Sequence, residues 1–297
     1  MSLTVVILTR DEQKHISRAI GSVAAVADRI FVIDSGSGDS TVDIARSHGA
    51  EVLTNPFITQ AQQFNWALSK LPQDTEWVFR LDADEVVSIE LAQSLAETLP
   101  LLGPEVAGAE VLRRMAFLGR PIRRGGLFPM RVVRVMRYGR GRSEDRWMDE
   151  HILVNGTLAQ LEGELLDDNL NSLTWWTAKH NAYASREVVE MLNLEYRFLQ
   201  RDESAGSGGR QAGLKRWVKE KIYVRLPAGP RALAYFLYRY LLRLGFLDGR
   251  EGAIFHVLQG FWYRYLVDAK LSEVKLYMRD QKVDVRVAIQ QILGIRV

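Results

Sequence analysis

The sequence predicts an α/β protein, a parallel sheet with helices on both faces, followed by a helical, aromatic-rich C-terminal extension. Three observations carry this expectation. Strand-like and helix-like patterns alternate over the first hundred residues. The strand-like runs are almost unbroken aliphatic and β-branched stretches, as in strands buried on both faces. Polar, acidic clusters stand directly beyond three of those runs. Thr4-Val-Val-Ile-Leu8 reads as the first strand and residues 12–26 as a polar helix. Arg29-Ile-Phe-Val-Ile33 is the second strand, ended by Asp34-Ser-Gly-Ser-Gly38, and residues 41–48 form a helix that Gly49 is placed to end. Glu51-Val-Leu-Thr54 is a third strand, residues 60–71 a third helix, and Glu76-Trp-Val-Phe-Arg-Leu81 a fourth strand running into Asp82. Residues 104–168 read as shorter strands joined by Gly- and Arg-rich turns. Ser204-Ala-Gly-Ser-Gly-Gly209 has the composition of a flexible linker, and residues 231–244 and 254–267 look helical and unusually aromatic. The expected division is a catalytic unit over 1–200, in halves of 1–100 and 101–200, and a helical region over 201–297.

Composition narrows the classes. At 297 residues, 47% hydrophobic and 25% charged, the chain has ample apolar surface for a core. It has no cysteine, which excludes disulfides, thiolate metal sites and a Cys nucleophile. No basic segment followed by an apolar core opens the sequence, and no stretch of about 20 uncharged apolar residues occurs. A cytoplasmic protein is therefore expected, and the basic rear half and the aromatic C-terminal segments add the expectation that it is peripheral on the inner face of the cytoplasmic membrane. Residues 1–100 hold 7 basic and 14 acidic residues, a balance of −7, whereas 101–297 hold 32 and 22, a balance of +10. An acidic front and a basic rear predict different partners for the two parts.

In parallel α/β sheets, ligands collect at the carboxyl ends of the strands. Those ends are Thr9-Arg10-Asp11-Glu12, Asp34-Ser35 and Asp82-Ala83-Asp84-Glu85. Two carboxylates one residue apart, Asp82 and Asp84, suit Mg²⁺ or Mn²⁺ and leave coordination positions free for a diphosphate. Such an ion neutralises the charge that builds on a departing nucleoside diphosphate. Asp34 and Glu12 offer acceptors to a base N–H or a ribose hydroxyl, and their neighbourhoods serve equally as helix caps. Gly36-x-Gly38 lacks the third glycine of a dinucleotide fingerprint. Between Arg113 and Arg146 there are eleven arginines, no lysine, and only Glu144 and Asp145 as acids. Arginine in place of lysine favours bidentate phosphate contacts. Arg123, Arg124 and Arg131, near Gly119, Gly125 and Gly126, are candidates for donor or acceptor phosphates, or belong to a solvated face. Lys179, beside Trp175-Trp176, lines an acceptor groove or flanks a core helix.

Four ordered motifs now fall together: Ile7-Leu-Thr-Arg-Asp-Glu12, Val32-Ile-Asp-Ser-Gly-Ser-Gly-Asp-Ser-Thr41, Gln63-Phe-Asn-Trp-Ala-Leu68 and Arg80-Leu-Asp-Ala-Asp-Glu85. They resemble the family-2 inverting glycosyltransferases of GT-A fold, and among these the bacterial enzymes that build lipopolysaccharide core or exopolysaccharide. The likeness continues through Met148-Asp-Glu-His151 and Trp176-Thr-Ala-Lys-His-Asn-Ala-Tyr183 to Gly245-Phe-Leu-Asp-Gly249. The resemblance implies a nucleotide-sugar donor, most simply a UDP-sugar, and a lipid-linked or lipopolysaccharide acceptor. It implies nucleotide contacts from Thr9, Arg10, Glu12, Asp34, Ser35, Asn65, Arg80 and Asp82, and metal contacts from Asp82 and Asp84. A general base is needed for the acceptor hydroxyl. Its counterpart is Asp149-Glu150, in which either Glu150 or Asp149 fills the role. His151 is a candidate third metal ligand or a structural histidine.

The C-terminal segments bear on the acceptor. Leu233, Phe236, Leu237, Tyr240, Leu241 and Leu244 form one apolar stripe, with Arg231, Arg239 and Arg243 on another face. That arrangement suits a helix lying in a membrane interface, or one packed on the catalytic unit or in a homo-oligomer. A sugar-phosphate nucleotidyltransferase would open with a Gly-rich loop after the first strand, and Thr9-Arg-Asp-Glu12 has no glycine. A non-catalytic basic module for membranes or nucleic acid leaves the acidic strand ends without a purpose, and no nucleic-acid partner is expected.

Overall fold

The computed structural model describes residues 1–145, 150–199 and 229–297. The expected alternation is present: β1 (Leu3–Thr9), α1 (Ile16–Val23), β2 (Arg29–Asp34), α2 (Thr41–Ser47), β3 (Glu51–Thr54), α3 (Gln60–Leu68), β4 (Trp77–Asp82), β5 (Glu85–Val87) and α4 (Ile89–Thr98). Strands β6 (Val106–Phe117), β7 (Arg120–Pro121), β8 (Met130–Arg137), β9 (Gly141–Ser143), β10 (Ile152–Val154) and β11 (Thr157–Asp168) follow, then α5 (Leu173–Tyr196). The main sheet runs β3-β2-β1-β4-β8-β6-β11-β5, with β7 on β6, while β9 and β10 form a separate ribbon. β3, β2, β1 and β4 are mutually parallel, and β8 joins antiparallel to both β4 and β6.

The period of two in a strand explains the two cores. Val5 and Ile7 point to one face with Ile16, Ile20 and Leu91 from α1 and α4. Val6, Ile33 and Val78 point to the other with Phe64 and Ala67 from α3. Helix α1 is shorter than expected, because residues 12–15 form a turn in which the Glu12 carbonyl accepts the His15 and Ile16 N–H groups.

The region 104–168 differs most from expectation. In place of short strands it holds two of 12 residues, β6 and β11, running parallel. Their charges disguise them in sequence, yet pair across the strands: Arg113 with Asp167 at 2.6 Å, and Arg114 with Glu164. A bulge between Gln160 and Glu164 bends β11. At Gly163, φ is +82° and a Cβ would stand 2.2 Å from the Leu91 amide nitrogen, so only glycine lets the start of α4 approach the strand.

Helix α5, capped by Ser172, spans 24 residues. Its second half, including Ala184, Val188 and Leu192, packs with Tyr263, Val267, Ala288 and Ile289 of the C-terminal helices Tyr263–Gln281 and Val285–Leu293. The two aromatic segments are helical but widen to π-helix over Tyr238–Leu242 and His256–Trp262. Leu233, Leu237, Leu241 and Leu244 of the expected stripe are exposed, while Phe236 stacks on Tyr240 at 5.2 Å. The expected basic face is different. Arg231 is buried against Asp268 (Nε–Oδ1 2.8 Å), and Arg239 is buried with Nε donating to the Gly125 carbonyl. Two of its three arginines therefore face the protein. Among the described residues no helix is long and apolar enough to cross a membrane.

Candidate active site

The parallel register sets Thr9 beside Asp34 and Leu8 beside Asp82, so the three predicted strand ends lie at one edge of the sheet. Two loops are laced together there. Asp11, in the left-handed region at φ +57°, accepts the Gly38 N–H (2.8 Å) and donates its own N–H to Ser37 Oγ (2.9 Å). The Glu12 N–H reaches Thr41 Oγ1 at 2.7 Å. Asp34 is buried and organises its own turn: Oδ2 accepts the N–H groups of Gly36 and Ser37, both at 2.9 Å, and Oδ1 accepts the hydroxyls of Ser37 and Thr9. Glu12 meets His15 Nδ1 at 2.6 Å, and His15 Nε2 accepts the Leu170 N–H. Ser35 Oγ accepts from Gln63, and Arg10 is exposed. Asn65 has another partner than expected: its amide both donates to the Ser143 carbonyl (2.9 Å) and accepts the Ser143 N–H (2.8 Å), which fixes β9 to α3.

Asp82 and Asp84 are held differently. Arg134 Nη2 donates to Asp82 Oδ2 at 2.8 Å and to Glu85 Oε1 at 2.5 Å, and the Asp82 N–H donates to Glu85 Oε2. Arg113 Nε stands 3.2 Å from Glu85 Oε1. Arg80 is buried over the Phe64 ring, with Nη2 3.1 Å from Glu150 Oε1 and Nε 3.6 Å from Asp82 Oδ1. Expected as a nucleotide contact, Arg80 here bridges Asp82 and the base candidate Glu150. Burial opposes ionisation of Asp82, but Arg134, Arg80 and Arg113 outweigh it and hold the carboxyl well below its ordinary range. Burial and the Asp82 charge push Glu85 up to about 7 against the pull of Arg134 and Arg113. Asp84 carries lighter bonding: Oδ2 accepts from Asn169 Nδ2 at 2.9 Å, and its carbonyl accepts the Asp168 N–H.

The basic candidates separate into two places. Lys179, on α5, lies over Trp175 and Tyr183. Burial works against its charge, yet Tyr183, Asp84, Glu12 and Asp167 hold the ammonium above the ordinary lysine range. It therefore faces the acidic strand ends. Arg123 and Arg124 are exposed on the loop after β7, where their N–H groups donate to Asp248, and Arg131 is exposed on β8 near the Leu161 carbonyl. Among the described residues no three His, Asp or Glu side chains converge on one point, so His151 is not gathered with Asp82 and Asp84 as a third ligand. Its carbonyl accepts the Glu144 N–H. The donor set that remains is a pair of carboxylates, which fits a hard cation whose shell a diphosphate and water complete. Asp149 lies outside the described residues. Arg134 is the residue whose place at the site sequence reasoning missed, and Glu85, read only as part of its strand-end cluster, is the carboxylate it pairs with. A single arginine inside the apolar run Val132-Val133-Arg134-Val135-Met136 was the available signal, since arginine is almost never buried without a partner.

Several known proteins share parts of this chain. An uncharacterized glycosyltransferase of Rickettsia typhi is 38% identical over 93 residues, 31% of this chain and 31% of that protein. The chain thus matches about a third of the length of such relatives. A TPR repeat-containing protein of Synechococcus elongatus is 26% identical over 271 residues, 84% of this chain and 62% of that protein. Among solved structures, glucosyl-3-phosphoglycerate synthase from Mycobacterium tuberculosis, in complex with Mn²⁺, UDP and glucosyl-3-phosphoglycerate, is 21% identical, with a TM-score of 0.31 over 38% of this chain and 44% of that one. The family model described as glycosyl transferase family 2 matches residues 4–189, from the first strand to the middle of α5. That match takes in every strand-end cluster and Glu150, and the chain belongs to glycosyl transferase family 2.

Proposed function

We propose that this chain transfers a sugar with inversion from a nucleotide sugar, a UDP-sugar in the simplest case, to a lipid-linked or lipopolysaccharide or exopolysaccharide acceptor. One observation carries the reading: the register that sets Thr9, Asp34 and Asp82 side by side at the strand ends, with Arg80 linking Asp82 to Glu150. Thr9, Arg10, Glu12, Asp34 and Ser35 bind the base and ribose. Asp82, already fixed by arginines, and Asp84 provide the carboxylate pair for Mg²⁺ or Mn²⁺ on the diphosphate side. Such an ion neutralises the charge developing on the leaving diphosphate. Glu150 takes the proton of the acceptor hydroxyl as its oxygen bonds to the anomeric carbon and the bond from that carbon to the diphosphate breaks. Lys179 adds a second positive charge on the acidic side. The exposed leucines at 233, 237 and 241 rest on the inner face of the cytoplasmic membrane, where such an acceptor is presented.

The test is a panel of nucleotide sugars assayed for hydrolysis and transfer, with and without a chelator. Metal-dependent release of UDP from one donor is expected. No turnover with any nucleotide sugar, or turnover indifferent to chelation, would remove the donor or the metal from this reading respectively.

A further inference from the structure

A cleft of about 300 Å³, lined by Arg120, Pro121, Arg123, Arg124, Leu247 and Asp248, lies outside the strand-end site. It is built rather than incidental. Buried Asp248 accepts the Arg123 and Arg124 N–H groups on separate oxygens (3.2 and 3.0 Å) and meets His256 Nε2 at 3.2 Å. The Gly125 N–H donates to the Arg243 carbonyl, and its own carbonyl accepts Arg239 Nε. A Cβ on Gly125, at φ +71°, would stand 2.3 Å from the His256 ring, so the loop can pack this closely only with glycine there. From the loop itself the clamp takes only main-chain groups, which leaves the side chains of Arg123 and Arg124 outside it. Those guanidiniums are exposed and have no hydrogen bond or ion pair among the described residues. The acids nearby cancel them only in part: Glu251 pairs with Arg120 at 3.4 Å, and the Asp248 carboxylate lining the cleft offsets one of the two guanidinium charges. A large apolar side chain, Leu247, lines the place and is 53% exposed, next in sequence to exposed Phe246.

The strand register ties the cleft to the reaction site. The Asp168 N–H bonds the Asp84 carbonyl, Asp168 lies opposite Ala116, and Ala116 lies opposite Pro121. Three strand spacings, about 15 Å along the sheet, therefore separate Asp84 from the cleft wall. One acceptor can reach both.

We propose that this cleft binds a terminal phosphate or diphosphate borne on an apolar anchor, held by the guanidinium forks of Arg123 and Arg124 while the anchor lies on Leu247 and its exposed neighbours. Unpaired arginines suit such an anion because each presents a planar pair of N–H donors. Calling this ligand the acceptor rests on the transfer reading above; the binding itself does not.

The test is flotation of the full chain, without donor or metal, with phosphatidylcholine vesicles carrying phosphatidic acid. Vesicles carrying phosphatidylglycerol at the same zeta potential form a second arm, and inorganic pyrophosphate in solution a third. Binding to phosphatidic acid about tenfold tighter than to phosphatidylglycerol is expected. Arg123→Ala with Arg124→Ala should weaken the phosphatidic acid arm about 100-fold, roughly tenfold for each guanidinium fork removed. The paired lysine variant should recover only part of that, because it restores charge without the fork. Because both side chains are exposed, an unchanged thermal midpoint confirms that the variants fold. Equal binding to the two anionic vesicles, an unaffected double variant, or pyrophosphate binding as tightly as the vesicles would each overturn the proposal. Failure of the nucleotide-sugar panel with vesicle binding intact would remove transfer and keep the cleft, and the reverse result would remove the cleft alone.

Discussion

The acidic strand ends and the arginine cleft are opposite electrostatic arrangements on one sheet. At the strand ends Asp82, Glu85, Asp167 and Glu150 are each met by a buried or half-buried arginine, from Arg80, Arg113 or Arg134. At the cleft, Arg123 and Arg124 are exposed and, among the described residues, only their main chain is fixed. An ion-paired network holds geometry before a ligand arrives, which is what transition-state stabilisation needs, and among the described residues the Nε groups of Arg80, Arg113 and Arg134 have no hydrogen-bond partner in it. Unsatisfied cations on a fixed loop keep their charge available for a ligand. Asp84 departs from its neighbours, because it bonds Asn169 and, among the described residues, pairs with no arginine. Within the paired region it is the group left open for chemistry.

The sharpest way to break that comparison is to remove the open carboxylate. Asp84→Ala should lower metal-dependent turnover by about 10³-fold or more, since a metal supplies several kcal/mol of charge stabilisation. Its thermal midpoint should stay near wild type, because one side-chain hydrogen bond is lost. Full activity in this variant would end the metal assignment. Next, Glu150→Gln should reduce transfer by about 10²–10⁴-fold while donor binding persists. A parallel loss of donor binding would make Glu150 a structural partner of Arg80 and return the base to Asp149.

Stability separates the two regions in the same way. Arg134→Met leaves buried Glu85 and half-buried Asp82 without their shared cation, a change expected to cost about 3–5 kcal/mol in urea unfolding. Adding Glu85→Gln should recover part of that by removing one stranded charge. Arg123→Ala, from the exposed set, should stay within about 0.5 kcal/mol of wild type. Similar losses at both positions would mean that the cleft arginines are structural after all.

Much of this was legible in sequence, for reasons that differ along the chain. The first four strands carry their own signal, since Thr4–Leu8 and, apart from Arg80, Trp77–Leu81 are nearly unbroken apolar runs with acids close behind. The strands β6 and β11 were not legible as long strands, because Arg113, Arg114, Glu164 and Asp167 read as breaks until the neighbouring strand supplies the opposite charge. Asp34 ends β2 beside Thr9, and Asp84 lies just beyond the end of β4. The split of the arginine belt into paired and unpaired members depends on partners over 100 residues away, such as Asp248 for the Arg123 loop. No local pattern encodes such long-range pairings. The aromatic C-terminal helices were visible, but the side their arginines face was decided by Asp268 and the Gly125 carbonyl.

Helix α5 joins the two regions, with Lys179 toward the acidic ends and His180 toward the C-terminal helices. His180 stacks on Trp176 at 3.5 Å, meets Tyr263 edge-on at 5.6 Å and donates from Nδ1 to the Trp176 carbonyl. Burial lowers its folded pKa to about 4; the Trp176 carbonyl opposes that shift, and the Lys179 charge adds to it. The unfolded imidazole titrates near 6.5, so both states are neutral above that pH and the full stability is present there. As pH falls from about 6.5 toward 4 the unfolded chain takes the proton first, and stability is lost across that window. With an allowance for partial solvent screening, the loss amounts to about 2 kcal/mol. His180→Phe keeps an aromatic ring against Trp176 and removes the titration. The difference between the two unfolding free energies, followed from pH 7 to pH 4.5, cancels the carboxylates common to both proteins. It should fall by most of that amount toward the acid end, while a flat difference would mean that His180 is solvated and α5 is not sealed against the C-terminal helices.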